Sequence, residues 1–294
     1  VTAPVLLLDT YSLFFRAYYA LPDMSTREGE PTSAVYGFSA LLLKLLRENR
    51  GAALAFAIDA PQATFRHESF AEYKAGRAPT PMSLSAQFPR LTELIAALGV
   101  PAFRVPGFEA DDVLATLAAR ARTEDCAALV VSGDRDLLQL AHGSVRVHFV
   151  GRRGKDALVY DEAKVRERFG VPPQKLPSYV AMIGDSSDNL PGVPGIGAAT
   201  AQKLLATKAD CAALLNDAAS LKSARTRELL LAHREQILHT EELARLRSDA
   251  PLGDGTPWAA PTDSGFGALA ELFATLEFKS LTARLEALRA KAVR

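Results

Sequence analysis

Cysteine and histidine are too few and too scattered here to hold a zinc ion. The 294 residues contain two isolated cysteines, Cys126 and Cys211, and five dispersed histidines, none in a zinc-ligand spacing. Lone thiols of this kind read as reduced structural residues of a cytosolic protein. There is no Walker A sequence, no dinucleotide fingerprint and no nucleophile elbow, which sets aside three common routes to catalysis. No apolar run approaches a membrane span, and the N-terminal LLL is stopped by Asp9. No basic stretch leads into a cleavage site, so the expectation is a cytoplasmic protein with no membrane partner. Net charge is missing too, with 34 basic residues against 34 acidic.

What is present begins with enough apolar residue, 48%, to predict a packed core, in a length that suits one large domain or two modest ones. Strand and helix signals alternate through the first half. VLLLD (5–9), ALAFAID (53–59), PAFRVP (101–106), AALVVSGD (127–134) and VRVHFV (145–150) read as strands. The segments 32–48, with Thr32 or Ser33 as N-cap, 87–99, ending at Gly99, and 110–123 read as helices. Such alternation predicts an α/β fold with a doubly wound, mostly parallel sheet. After about residue 170 the strand signals stop and every pattern is helical. The expected organisation is an α/β core over 1–170, a helical subdomain over 171–250, and a linker with a C-terminal helix over 251–294. Residues 60–90 differ from their surroundings: four prolines, little apolar periodicity and the bases Arg66, Lys74, Arg77 and Arg90 predict a functional or mobile connection.

Nine acids recur in five short motifs, most of them after apolar runs. They are Asp9 (LLLDT), Asp59 (AFAID), Glu109, Asp111 and Asp112 (FEADDV), Asp134 and Asp136 (SGDRD), and Asp185 and Asp188 (GDSSDN). Parallel strands bring their carboxyl ends to one crevice, where gathered carboxylates repel one another. Hard divalent cations relieve that repulsion, so the pattern predicts two Mg²⁺ or Mn²⁺ ions and phosphodiester hydrolysis. Each motif has a plainer reading. Acids at a helix start complement its dipole, and Gly/Asp-rich turns need no metal. Capping accounts for one or two acids of FEADDV and leaves the third unexplained. Asp134 and Asp136, two apart in an extended segment, would point to one side. Setting the nine acids aside leaves 25 acidic against 34 basic residues, a surplus of nine positive charges for a phosphate-rich partner.

LPGVPGIGAATAQKLL (190–205) reads as a helix–hairpin–helix. Its glycines at 192, 195 and 197 allow tight turns, and Ile196–Gly197 opens a helix whose amides can face a phosphate. An ordinary αα-turn is the alternative. The aromatic group Phe14, Phe15, Tyr18 and Tyr19 is expected to pack a first helix onto the sheet, with base stacking by one of them as a second role.

AVYGF, FRHESFAEYKAGRAPTP, GFEADDVLATLA, GDRDLLQL and GDSSDNLPGVPGIGAATAQKLL together resemble the 5′-nuclease domains of bacterial DNA polymerases I, within the flap endonuclease family. The resemblance covers about residues 5–250. It implies a PIN-like core, a helical arch over the site at about 60–90, and a helix–three-turn–helix. It implies cutting of 5′ flaps and 5′→3′ exonuclease activity on DNA in replication and repair. All nine acids fall on the family's metal-binding carboxylates. Lys74 and Arg77 match the basic residues at the foot of the arch, as catalytic groups, with Arg66 a phosphate contact beside them. Gly192, Gly195, Ile196 and Gly197 match the DNA-gripping hairpin, which in the family often holds K⁺ through backbone carbonyls. Thr10 stands where relatives commonly have glycine, so a shift of the first turn is expected. The tail matches more loosely, and the chain begins without Met. The expectation is a monomeric nuclease domain separated from a larger polymerase, or a standalone nuclease. Two other classes compete: a DNA-binding module without catalysis, which would have lost carboxylates, and a small-molecule phosphatase, which would want a second acid where Tyr11 stands.

Overall fold

The computed structural model describes residues 3–151 and 158–292. The first strand, β1 (Val5–Asp9), is buried along its whole length. Its side chains alternate between two cores, Leu7 in one and Leu6 and Leu8 in the other. A strand covered on both faces needs a continuous apolar run, which VLLL supplies. Each fully buried leucine contributes about 2 kcal/mol relative to exposure.

Thereafter come α1 (Thr10–Ala20), α2 (Ser33–Glu48), β2 (Leu54–Ala57), the short α3 (Phe65–Ser69) and α4 (Met82–Ser85), α5 (Phe88–Leu98) and β3 (Ala102–Phe103). The core continues through α6 (Ala110–Thr123), β4 (Ala128–Ser132), β5 (Val145–Phe149) and β6 (Leu158–Tyr160). Strand order is β3-β2-β1-β4-β5-β6, parallel except for the antiparallel edge strand β6. From β1 the chain winds first to one side through β2 and β3, then to the other through β4 and β5. The winding reverses between β1 and β4, and α/β proteins bind ligands outside the strand ends at that point.

Beyond β6 the described chain is helical: α7 (Glu162–Phe169), α8 (Leu176–Ile183), α9 (Ala198–Leu205), α10 (Cys211–Asn216), α11 (Ala224–Ala232) and α12 (Arg234–Ala244). Glu241 ties this unit together. Its buried carboxylate accepts from Ser178 Oγ at 2.6 Å, from Arg245 at 2.9 Å and from the Cys211 amide at 3.3 Å.

Several expectations need correcting. The tail is not one helix but two, α13 (Asp263–Thr275) and α14 (Lys279–Ala292). Glu277, at φ 59°, turns the chain between them. Leu269, Phe273, Leu281 and Leu285 are all fully buried in the core that holds α2 and α5. Ala259 also exchanges two backbone hydrogen bonds with Leu54. The strand expected over 101–106 shrinks to two residues. Thr32 makes no side-chain cap for α2; Gln87 Oε1 instead accepts from the amides of Ala34 (2.8 Å) and Val35 (3.3 Å). That cap comes from more than fifty residues away, which no local reading detects. Among the described residues no helix is long and apolar enough to cross a membrane.

Candidate active site

At the β1/β4 switch point lies a cavity of about 910 Å³ lined by Asp9, Asp59, Glu109, Asp111 and Asp134 together with Lys74 and Arg77. Each acid arrives by its own local route. Asp9 ends β1 and caps α1, accepting from the Ser12 amide at 3.3 Å. Asp59 follows β2 and accepts from the Ala110 amide at 2.8 Å, at the start of α6. Glu109 is the N-cap of α6, and Asp111 lies in its first turn. Asp134 follows β4, where Ser132 Oγ donates to Asp9 Oδ2 and accepts from the Asp134 amide at 2.8 Å. Thr10 is buried as the first residue of α1, and Asp9 caps that helix.

Electrostatics mark these groups as crowded. Burial pushes the Asp9 carboxyl up to about 7, and the neighbouring charges of Asp59 and Asp134 add to this against the opposing Ser132 hydrogen bond. Burial also raises Asp59. Asp111 lies well above the usual carboxylate range through burial, then Asp134 and Asp9. Asp136 does so through burial, then Asp134, Asp188 and Asp185. Asp134 therefore joins two groups, one around the cavity and one beside it.

A pH effect follows for the metal-free protein. Below about pH 4 the Asp9 carboxyl is protonated folded and unfolded. Between about 4 and about 7 the unfolded chain releases a proton that the folded chain keeps, so stability falls as pH rises. Asp9→Asn should flatten the fall in melting temperature between pH 5 and 7.5. Equal slopes in both proteins would contradict this.

Lys74 sits among the acids, its Nζ 3.2 Å from Glu109 Oε2 and 3.7 Å from Asp188 Oδ2. Burial works against the ammonium, but Glu109, Asp188 and Asp111 outweigh it and hold its pKa above the ordinary lysine value. Arg77 Nη2 lies 3.0 Å from Asp188 Oδ1 and remains half exposed. Tyr73, which the sequence reading passed over, donates to Asp188 at 2.9 Å and to Glu109 at 3.1 Å. Its only signal was its place beside Lys74. Ser132 was missed likewise; a small hydroxyl ending a buried strand beside an acid was the clue. Arg16 also lines the cavity and hydrogen-bonds the Gly133 carbonyl.

Four sequence assignments change. Arg66 is 1% exposed and cannot meet a phosphate. Its guanidinium grips Asp112 through two bonds of 2.7 and 2.8 Å, and also bonds the Leu243 and Arg245 carbonyls. Asp112 is fully buried, and its oxygens further accept from the Glu109 and Arg247 amides, at 3.2 and 2.9 Å. It is therefore a structural anchor rather than a metal ligand, joining residues 64–70 and the end of α12 to α6. Arg66→Ala should destabilise the fold by about 3–5 kcal/mol, because a buried carboxylate loses its countercharge. Urea unfolding tests this, and a loss under 1 kcal/mol would contradict it.

The hairpin also divides. Gly192 packs on the preceding helix end: a Cβ there would lie 2.3 Å from the Ile183 carbonyl carbon and 2.5 Å from the Gly184 amide. Ile196 is buried. Their roles are in packing. Gly195, at φ 88°, and Gly197, the N-cap of α9, are exposed. Asp136 is not in an extended segment but starts a 3₁₀ turn, its amide 3.0 Å from Asp134 Oδ1. Asp185 accepts from the amide and hydroxyl of Ser187. Phe14 is fully buried, whereas Tyr19 is 65% exposed at the cavity wall. Residues 60–90 are pinned by Arg66 at one end, and Ala75–Thr80 are exposed.

Among the described residues no three carboxylates, thiols or imidazoles close on one point as a ready cation cage; the acids ring an open cavity. The donor set is nonetheless carboxylate throughout, as hard divalent ions require.

Residues 4–170 match the model of the 5′–3′ exonuclease N-terminal resolvase-like domain, and 171–260 that of the 5′–3′ exonuclease C-terminal SAM fold. The chain belongs to the 5′–3′ exonuclease family. It is 40% identical over 282 residues to DNA polymerase I of Bacillus caldotenax, covering 96% of this chain and 32% of that one. With the thermostable DNA polymerase I of Thermus aquaticus the identity is 43% over 248 residues, 84% of this chain and 29% of that one. This exonuclease-family chain thus spans about a third of the curated relatives it matches. Among solved structures it is similar in fold to T5 5′-exonuclease with bound divalent metal ions (zinc), at TM-score 0.67 and 19% identity, covering 98% and 99% of the two chains. The catalytic core of Rad2 in complex with DNA substrate gives TM-score 0.64 at 15% identity, covering 98% and 92%. The family is one of nucleases.

Proposed function

We propose that this chain is a structure-specific 5′ nuclease that cuts DNA flaps near the duplex junction and degrades 5′ ends, in replication and repair. The observation that carries the reading is the meeting, in a chain of this family, of acids from the ends of β1, β2 and β4 and the start of α6 with Lys74 and Arg77 at one cavity. Bound metals in T5 5′-exonuclease and bound DNA in Rad2 support it by analogy.

Two Mg²⁺ or Mn²⁺ ions would be held by Asp9, Asp59, Glu109, Asp111 and Asp134 on one side and Asp136, Asp185 and Asp188 on the other. When bound, such ions lower the pKa of water and stabilise the leaving oxygen. Asp9 and Asp59 orient their neighbours through Ser132 and the Ala110 amide. Lys74 and Arg77 would face the scissile phosphate and offset its growing charge. Tyr73 keeps Glu109 and Asp188 in place as those cations shift toward DNA. The exposed amides around Gly195 and Gly197 would grip duplex phosphates without reading sequence, with K⁺ against the hairpin carbonyls. Tyr19, exposed at the wall, is placed to stack on a base. We further propose that the protein is monomeric and cytoplasmic, and that it forms the N-terminal part of a DNA polymerase I.

Incubating the chain and Mg²⁺ with a labelled 5′-flap duplex should give a cut near the junction that leaves a 5′-phosphate and a 3′-hydroxyl. A parallel p-nitrophenyl phosphate assay should show no turnover. Phosphatase activity without flap cutting would overturn the proposal.

A further inference from the structure

The residues around Lys74 and those that begin the DNA-gripping hairpin are joined by a clip that neither motif predicts alone. Lys74 has φ 57°, a left-handed conformation that a residue with a β-carbon adopts only when its surroundings enforce it. Asn189, in the turn opposite, has the same φ of 57°. The Lys74 amide donates to the Asp188 carbonyl at 3.1 Å. In return, Asn189 Nδ2 donates to the Glu72 carbonyl at 2.9 Å. The two bonds bracket Tyr73 and end at the Lys74 amide. The turn is itself rigid, because Asp185 and Leu190 exchange backbone hydrogen bonds of 2.9 and 2.8 Å. It leads directly into Gly192, packed on the end of α8.

We infer that Asn189 is a positioning residue for Lys74: its side-chain amide holds the Glu72–Lys74 backbone so that the ammonium stays at the cavity. This rests on the nuclease reading of the site. Asparagine suits the place for two reasons. It tolerates the left-handed region, and its side-chain amide supplies the donor that reaches the Glu72 carbonyl. The Asp188 carboxylate meets the Lys74, Tyr73 and Arg77 side chains, whereas the Asn189 side chain donates to the Glu72 backbone carbonyl and stands exposed.

Asn189→Gly separates this bond from the fold, because glycine adopts φ 57° freely. Asn189→Asp keeps the shape and removes the donor. With saturating flap DNA and Mg²⁺, either variant should cut about tenfold more slowly in a single turnover, while flap affinity changes less than about twofold. In a Lys74→Ala background the same change should have no further effect. An unchanged rate, or an equal tenfold loss without Lys74, would overturn the inference. Hydrogen exchange at the Lys74 amide in DNA-free protein decides it independently of catalysis. Exchange should quicken about tenfold in Asn189→Gly, with the exchange of α6 amides unchanged. Unaltered protection at Lys74 would refute the clip. A wild-type chain that cuts no flap would defeat the nuclease reading instead, and the exchange result would still stand.

Discussion

Replacing Asp134 and Asp136 together with asparagine should lower flap cleavage by about 10³-fold or more while leaving flap binding intact or stronger. Asp134 borders both acidic groups, and its charge raises Asp9, Asp111 and Asp136. The pair therefore lies where cations are needed most. The local fold should survive, because an asparagine oxygen can still accept from the residue-136 amide as Asp134 Oδ1 does, at 3.0 Å. Removing two negative charges lessens repulsion of the phosphates, which is why affinity should not fall. Single-turnover cutting and fluorescence anisotropy on one flap substrate separate the two quantities. A variant that still cuts at near wild-type rate would remove the metal role from both residues.

Lys74→Ala should slow chemistry by about 10²-fold or more and weaken binding only modestly. The ammonium is already buried among Glu109, Asp188 and Asp111, which hold it charged across the physiological range. A cation kept there can turn to a phosphate that enters the cavity, and its contact gains most as charge builds on the scissile oxygens. With saturating flap substrate, an unchanged single-turnover rate and a weaker dissociation constant would show that Lys74 only attracts DNA.

Much of the fold was legible because its signals are local. VLLLD is β1 to the residue, and ADDVLATLAARART is α6 to the residue. Gly99 ends α5 in the left-handed conformation that its position called for. What escaped depends on distant partners. Gln87 caps α2 from the turn that precedes α5, and the tail helices find their places against α2 and α5. The same limit governs the site. Acids after strands predicted a shared crevice, and five of the nine line one cavity. Asp112 was indistinguishable from its neighbours in FEADDV, yet it faces the protein interior and spends its oxygens on Arg66 and two backbone amides. Arg66 was misread for the same reason: a basic residue in a polar stretch gives no sign that its partner is buried.

In the proposed mechanism the carboxylates around this cavity hold divalent ions against the scissile phosphate. The most direct measurement is cleavage of a flap carrying sulfur in place of one non-bridging oxygen of that phosphate, with Mg²⁺ and Mn²⁺ compared in single turnovers. Mg²⁺ is a hard ion that binds sulfur poorly, and Mn²⁺ tolerates it better. For one of the two sulfur stereoisomers, cutting should be slowed about tenfold or more in Mg²⁺ and largely restored in Mn²⁺. A slowing of the same size in both metals, for both stereoisomers, would mean that no ion touches a non-bridging oxygen of the scissile phosphate and would contradict the account.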